Sequence, residues 1–278
     1  MCTADQNGRM EENGTDRNAL PLPPAEDMAT AVEWLREAGR ITVFTGAGIS
    51  TDSGIPDFRG PNGLWTTNPL AEKTSTLGYY LRDPEVRKVA WQGRLRNFSG
   101  DRQPNDGHRA IARIEKSGRL HAVVTQNVDG LHQLGGVSES KVWEVHGTVR
   151  YGRCFECRDR RPLSEFLDRV RAGEEDPPCE LCGGIVKTDV VLFQEPLVPE
   201  VIDGALNAGE ECDLLLAIGS TLSVTPAAYV VDRARAAGRR IVIINGDPTE
   251  RDAYASLILR GSITPILTAL VDRAEFPT

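Results

Sequence analysis

Four of the six cysteines stand in two Cys-x-x-Cys pairs, Cys154/Cys157 and Cys179/Cys182, separated by residues 158–178. Each pair can present two thiolates from one tight turn, and two such turns complete a tetrahedral S4 shell around Zn²⁺. Gly183-Gly184 follows the second pair, as expected where backbone folds closely around a metal. Four protein thiolates leave no open position for water, so the zinc expected here is structural. Cys2 and Cys212 lack such spacing and read as ordinary residues.

A second set of polar residues follows short apolar runs. Gly46-Ala47-Gly48, after ITVFT, matches the first two glycines of G-x-G-x-x-G, with Thr51 in place of the third. Small residues there let backbone N–H groups approach a pyrophosphate. Gln126, Asn127 and Asp129, in TQNVDGLH, put two amides and a carboxylate within four residues, which suits a sugar and a carboxamide. The same residue types also cap a following helix. Gly219-Ser220-Thr221 and Asn245-Gly246-Asp247 follow two further runs. They offer hydroxyls, an amide and a carboxylate to an adenosine ribose, a task that no isolated acid about 20 residues past the glycines takes on. His146, in WEVHGT, adjoins another expected strand end. Its near-neutral unperturbed pKa makes it a candidate general base. His108, His121 and His132 read as structural.

The elements that must position these residues are legible as alternation. ITVFTG, HAVVTQN, DLLLAIGS and RIVIINGD are short, β-branched or leucine-rich runs that end in small or polar residues. Helical spacing precedes them, as in AEDMATAVEWLREAG, GHRAIARIEKSG and PAAYVVDRARAAG. Strands alternating with helices imply a parallel sheet with crossovers, and ligands of such sheets bind beyond the carboxyl ends of the strands. Residues 61–103 break the alternation as a helical insertion, and residues 149–185 as a small zinc module. Residues 1–24 are polar, end in LPLPP and read as a disordered tail.

The chain of 278 residues carries 40 acidic against 32 basic side chains, a net charge of -8. That balance argues against nucleic acid as the main partner. The apolar runs are far shorter than the roughly 20 residues that cross a bilayer. The first residues lack a basic region followed by an apolar one, so no secretory signal is expected. Paired cysteines suited to metal fit a reducing compartment, and a cytoplasmic, monomeric protein is expected.

Taken in order, GAGIS, SGIPDFRG, TQNVDGLH, VHGT, the two cysteine pairs, IGSTLSVTPA and INGD resemble the sirtuins, the NAD-dependent protein-lysine deacylases. The resemblance covers residues 30–270. It implies a Rossmann-like domain (25–60, 104–148 and 186–278) with a smaller domain built from the zinc module and the helical insertion. Gly46, Ala47 and Gly48 would cradle the pyrophosphate. Asp57, Phe58 and Arg59 would belong to a loop closing over NAD. Gln126, Asn127 and Asp129 would surround the nicotinamide ribose and carboxamide; Gly219, Ser220, Asn245 and Asp247 would hold the adenosine half. His146 would be the catalytic base, with Gln126 and Asn127 beside it. NAD would be a consumed co-substrate, acyl-lysine proteins the partners, and nicotinamide, O-acyl-ADP-ribose and free lysine the products.

Two departures bear on the substrate. The expected acyl-peptide segment, close to VVFFGE in relatives, reads VVLFQE, with Val191 and Phe193 as apolar wall and Gln194 in place of glycine. Relatives that remove acidic acyl groups carry Tyr-x-x-Arg in the insertion, where this chain has Trp91-Gln92-Gly93-Arg94. Deacetylation therefore ranks first, with desuccinylation open and a core role for Trp91 equally expected. A mono-ADP-ribosyltransferase on the same scaffold, a hydride-transferring dehydrogenase and a zinc-ribbon interaction module are the competing functions.

Overall fold

The computed structural model describes residues 21–57, 70–98 and 102–278. Phe58 and Arg59 of the expected cofactor loop lie outside the described residues, as do positions 1–20 of the expected tail.

Among the described residues, six strands form the main sheet. They are β1 (Ile41–Thr45), β2 (Leu120–Thr125), β3 (Val142–Glu144), β7 (Leu214–Ile218), β8 (Arg240–Asn245) and β9 (Leu257–Arg260), in the order β3-β2-β1-β7-β8-β9. Every pairing is parallel. Alternate residues of each central strand feed opposite layers, because successive side chains point to opposite faces. Val43, Leu216, Val242 and Ile244 pack with helices Ala25–Glu37, Asp106–Lys116 and Ile263–Arg273. Phe44, Leu215, Ala217 and Ile243 pack with helices Pro199–Glu211 and Tyr229–Ala236. Both faces are covered, which is why these strands read as continuous apolar runs. Strands β3 and β9 and the helices at 199–211 and 263–273 add to the elements expected from sequence.

A three-stranded antiparallel sheet carries the cysteines, in the order β5 (Arg160–Pro162), β4 (Gly147–Cys154), β6 (Val186–Val190). It begins at Gly147 and ends at Val190. Helix Leu163–Arg171 lays Leu163, Phe166, Leu167 and Val170 on it, at helical spacing, and Trp91 joins that core from helix Pro84–Asn97. Gly152 admits the Phe166 ring, since a Cβ there would stand 2.5 Å from Phe166 Cε2. Only Val145 and His146 link β3 of the large sheet to β4 of the small one, so His146 stands at the junction of the two units.

Candidate active site

The strand order reverses at β1 and β7. The chain runs outward from β1 to β3 on one side and from β7 to β9 on the other, leaving a crevice at their carboxyl ends. The two loops that line this crevice touch backbone to backbone. Gly46 N–H donates to Ile218 O at 3.0 Å, and Gly48 N–H donates to Gly219 O at 2.9 Å. A Cβ on Gly48 would lie 2.8 Å from Gly219 Cα, and one on Gly46 would lie 2.7 Å from Gly219 O. Gly219 itself has φ +64°. The close approach of the two loops is thus the first demand these glycines meet, and the Gly48 N–H is already engaged. Ala47 opens the 3₁₀ turn Ala47–Ser53, which carries Ser50.

His146 is half-buried beside the crevice. Its Nδ1 lies 3.0 Å from the Gln126 carbonyl. A carbonyl only accepts, so Nδ1 carries the hydrogen and the neutral ring keeps its lone pair on Nε2. Burial lowers the His146 pKa, and the bond to Gln126 opposes it. The Gln126 side chain accepts from Ser220 Oγ at 2.8 Å, which joins the β2 loop to the β7 loop. Asn127 Nδ2 donates to Gly46 O at 3.0 Å and contacts Ser50 Oγ at 3.2 Å. Asp129 accepts from Ser50 Oγ at 2.8 Å and from the Leu131 N–H at 2.9 Å. Burial raises the Asp129 pKa, against the pull of those two bonds.

Ser50 sits at the centre of this group, and sequence reasoning passed over it. The only signal was its place directly after the glycine turn, in GAGIS. Behind it lies a buried polar layer. His108 Nε2 is 3.4 Å from Ser50 Oγ, and His108 and His132 meet edge to face with centroids 5.1 Å apart. Thr45 Oγ1 contacts His132 Nε2 at 2.9 Å and donates to Thr125 Oγ1 at 2.8 Å. Burial brings the His108 pKa down to about 4 and that of His132 well below the ordinary value. His108 also completes a capping box with Asn105 at the start of helix Asp106–Lys116.

Asn245 and Asp247 stand at the carboxyl end of β8, next to the β7 loop. Asn245 Nδ2 donates to Asp247 O at 2.7 Å, so the amide closes its own turn. The exposed Asp247 side chain completes this edge of the crevice. Asp57 is half-buried at the end of the described stretch 21–57.

The expected acyl-peptide segment follows β6. Val191 N–H donates to His146 O at 2.8 Å, tying the segment to His146. Phe193 N–H donates to Ser75 O at 2.8 Å, and Leu77 N–H donates to Phe193 O at 3.0 Å, so the helical insertion borders it. Phe193 is 46% exposed, leaving an apolar face at the surface of this segment. Gln194 is exposed and holds φ +71°, a region that favours glycine. Trp91, by contrast, stacks on Phe166 at 5.8 Å inside the small core and is not part of this surface. Arg94 reaches Thr188 Oγ1 at 3.4 Å.

The four cysteine sulfurs lie within 4.8 Å of one another. Cys154 and Cys182 are 3.5 Å apart, and Cys157 and Cys179 are 3.6 Å apart. This all-thiolate cluster fits structural Zn²⁺ and has no open ligand position. Cys212 is a buried thiol donating to Gly209 O at 3.2 Å, and burial pushes its pKa up to about 11. It has no part in either site.

A family model, that of the Sir2 family, matches residues 46–226. The chain belongs to the Sir2 family. An NAD-dependent protein deacetylase of Streptomyces coelicolor is 46% identical over 231 residues, 83% of this chain and 96% of that protein. A solved Sir2 enzyme superposes with a TM-score of 0.81 at 35% identity, covering 90% of this sirtuin and 98% of that chain. A Sir2 variant holding a deacetylated p53 peptide and 3′-O-acetyl-ADP-ribose superposes with a TM-score of 0.82 at 28% identity, over 90% and 99% of the two chains. Family membership accounts for the co-occurrence of the crevice and the thiolate cluster in one chain.

Proposed function

We propose that this sirtuin is an NAD-dependent protein-lysine deacylase, with acetyl-lysine as its first substrate, and that it consumes NAD rather than carrying it. The observation that carries this reading is the 3.0 Å contact between His146 Nδ1 and the Gln126 carbonyl. A neutral imidazole with its lone pair on Nε2 stands where the β2 loop meets the crevice, held by Gln126 O. A hydride-transferring dehydrogenase uses such a base on a substrate alcohol; here the base is held by the loop that carries Gln126 and Asn127, the residues expected around the nicotinamide ribose.

In the reaction the acyl oxygen of the substrate attacks the anomeric carbon of the nicotinamide ribose, and nicotinamide leaves. His146 Nε2 draws a proton from the ribose hydroxyls, and a hydroxyl oxygen then attacks the acyl carbon. One water is consumed, and lysine and O-acyl-ADP-ribose are released. Asn127 and Asp129, fixed through Ser50, orient the ribose and carboxamide. Gln126 and Ser220 hold the β2 and β7 loops together across the crevice. Gly46, Ala47 and Gly48 form its floor under the pyrophosphate, and Asn245 and Asp247 its adenosine end. Asp57 is assigned to the nicotinamide end of the crevice; Phe58 and Arg59, expected beside it, lie outside the described residues. Val191 and Phe193 line the acyl-lysine stem, with Gln194 facing the peptide.

The small domain consists of the zinc unit and the insertion 61–103, and the remainder from residue 25 onward forms the NAD-binding domain. Among the described residues no helix is long and apolar enough to cross a membrane. The reduced thiolate cluster supports a cytoplasmic enzyme, which we take to act as a monomer.

Incubation with NAD and an acetyl-lysine peptide tests the reading. Nicotinamide and O-acetyl-ADP-ribose are expected in equal amounts. Appearance of NADH, or transfer of ADP-ribose to protein without deacylation, would overturn it. His146→Ala should cost about 10²–10⁴-fold in turnover while zinc content and circular dichroism stay unchanged.

A further inference from the structure

A second cleft lies behind the catalytic histidine. One wall is the outer face of the three-stranded sheet; the other is formed by β3 and the segment around residues 196–201. Its volume is about 420 Å³, within the range of small-molecule sites. Among its described lining residues are none of Gly46, Asn127 or Ser220, so it is distinct from the NAD crevice, and it meets the acyl-peptide segment through Val191.

The sheet wall carries an unusual row of charge. The strand register places Lys187 opposite Arg153, and Arg153 opposite Arg160. Three cations therefore stand side by side across β6, β4 and β5 on one face. Like charges directly opposite each other destabilise a sheet unless an anion answers them. Asp189 does so in part: its Oδ2 accepts from Arg153 at 2.8 Å and from Arg160 at 2.7 Å. Lys187 pairs with Glu195 at 3.1 Å. The third acid of the cleft, Glu144, is engaged by Arg150 at 3.0 Å. Two guanidinium groups thus share a single carboxylate oxygen, and Arg153 Nε is buried with no partner among the described residues. The opposite wall presents Trp143, Val198 and Val201 beside the Arg150-paired Glu144.

We infer that this cleft binds a small amphipathic acid, with a carboxylate or phosphate head on Arg153 and Arg160 and an apolar body against Trp143, Val198 and Val201. Planar guanidinium pairs suit either head, since both offer two oxygens in the matching spacing. An acid bound there bridges the two units. It also bears on the backbone that holds the base, because Gly147 and Val191 line the cleft and Val191 N–H supports His146 O.

Calorimetric titration of the zinc-loaded protein tests the inference independently of deacylation, so its failure leaves the proposed activity standing. The probes are 4-phenylbutyrate, phenyl phosphate and the neutral 4-phenylbutyramide. At least one acid is expected to bind with a Kd of about 1 mM or tighter, and whichever binds more tightly identifies the head group. The amide should bind at least tenfold more weakly. The double variant Arg153→Gln/Arg160→Gln should lose the binding. If it does not fold, Arg160→Gln alone, on the exposed edge strand, should weaken it several-fold. Absence of binding by both acids, equal binding of the amide, or unchanged binding in the variants would each overturn the site.

Discussion

Burial and the Gln126 carbonyl act on His146 in opposite directions, and burial is the larger effect. The net downward shift keeps the imidazole neutral at pH 7, the form a general base needs. If His146 is the base, as proposed, its protonation stops the reaction, so kcat/KM should fall tenfold per pH unit once the pH drops through a value below about 6.5, the ordinary histidine pKa. A pH–rate profile with its acid limb at or above that value would count against this account. Asp129 shows the converse: burial raises its pKa, and Ser50 with the Leu131 N–H resists the shift. His146 and Asp129 could be picked out in the sequence, because their types and strand-end positions suggested chemistry. Ser50 could not, because its neighbours Asn127, Asp129 and His108 come from segments more than fifty residues away.

At the scale of elements, the glycine turn and the buried histidine layer set the shape of the crevice. Gly48→Ala would press a methyl group against Gly219 Cα, with only 2.8 Å between them. The loops must part, at a cost of about 1–3 kcal/mol for overpacking. Urea unfolding should show that loss, and titration with NAD should show weaker binding. The histidines make stability depend on pH. In the unfolded chain both titrate near 6.5, whereas in the fold His108 titrates at about 4 and His132 is also lowered. Between these values the unfolded chain takes up protons that the folded chain does not. Stability should therefore fall as pH drops below about 6.5, by up to about 1.4 kcal/mol per pH unit for each histidine. The share due to His108 stops growing below about pH 4. Urea midpoints across that window check the slope, and His108→Gln should flatten it.

For the whole molecule, the zinc unit and the large sheet are joined through Val145 and His146, so metal loss reaches the active site. Chelation, or Cys157→Ser, should release the zinc, abolish deacylation and melt the small unit first, because ligation energy is folding energy in such modules. Circular dichroism should retain most of the six-stranded sheet signal. Retained activity without zinc would contradict that coupling. The four longest strands of this sheet were legible because burial on both faces makes them continuous apolar runs. Strands β3 and β9, three and four residues long, are too short to show a period.

By itself the sequence determined the fold class, the metal and the reaction class, because each rests on local information: apolar period, cysteine spacing and an ordered set of short motifs. Only the tertiary structure decided which side chains meet. It brought Ser50 to Asp129, set His146 Nδ1 against the Gln126 carbonyl, and put Trp91 in a core instead of an acyl pocket. It also lined up Lys187, Arg153 and Arg160 across three strands. Spacing along the chain encodes what a residue can do. Which partner it finds depends on strand order and register, through contacts between residues distant in sequence.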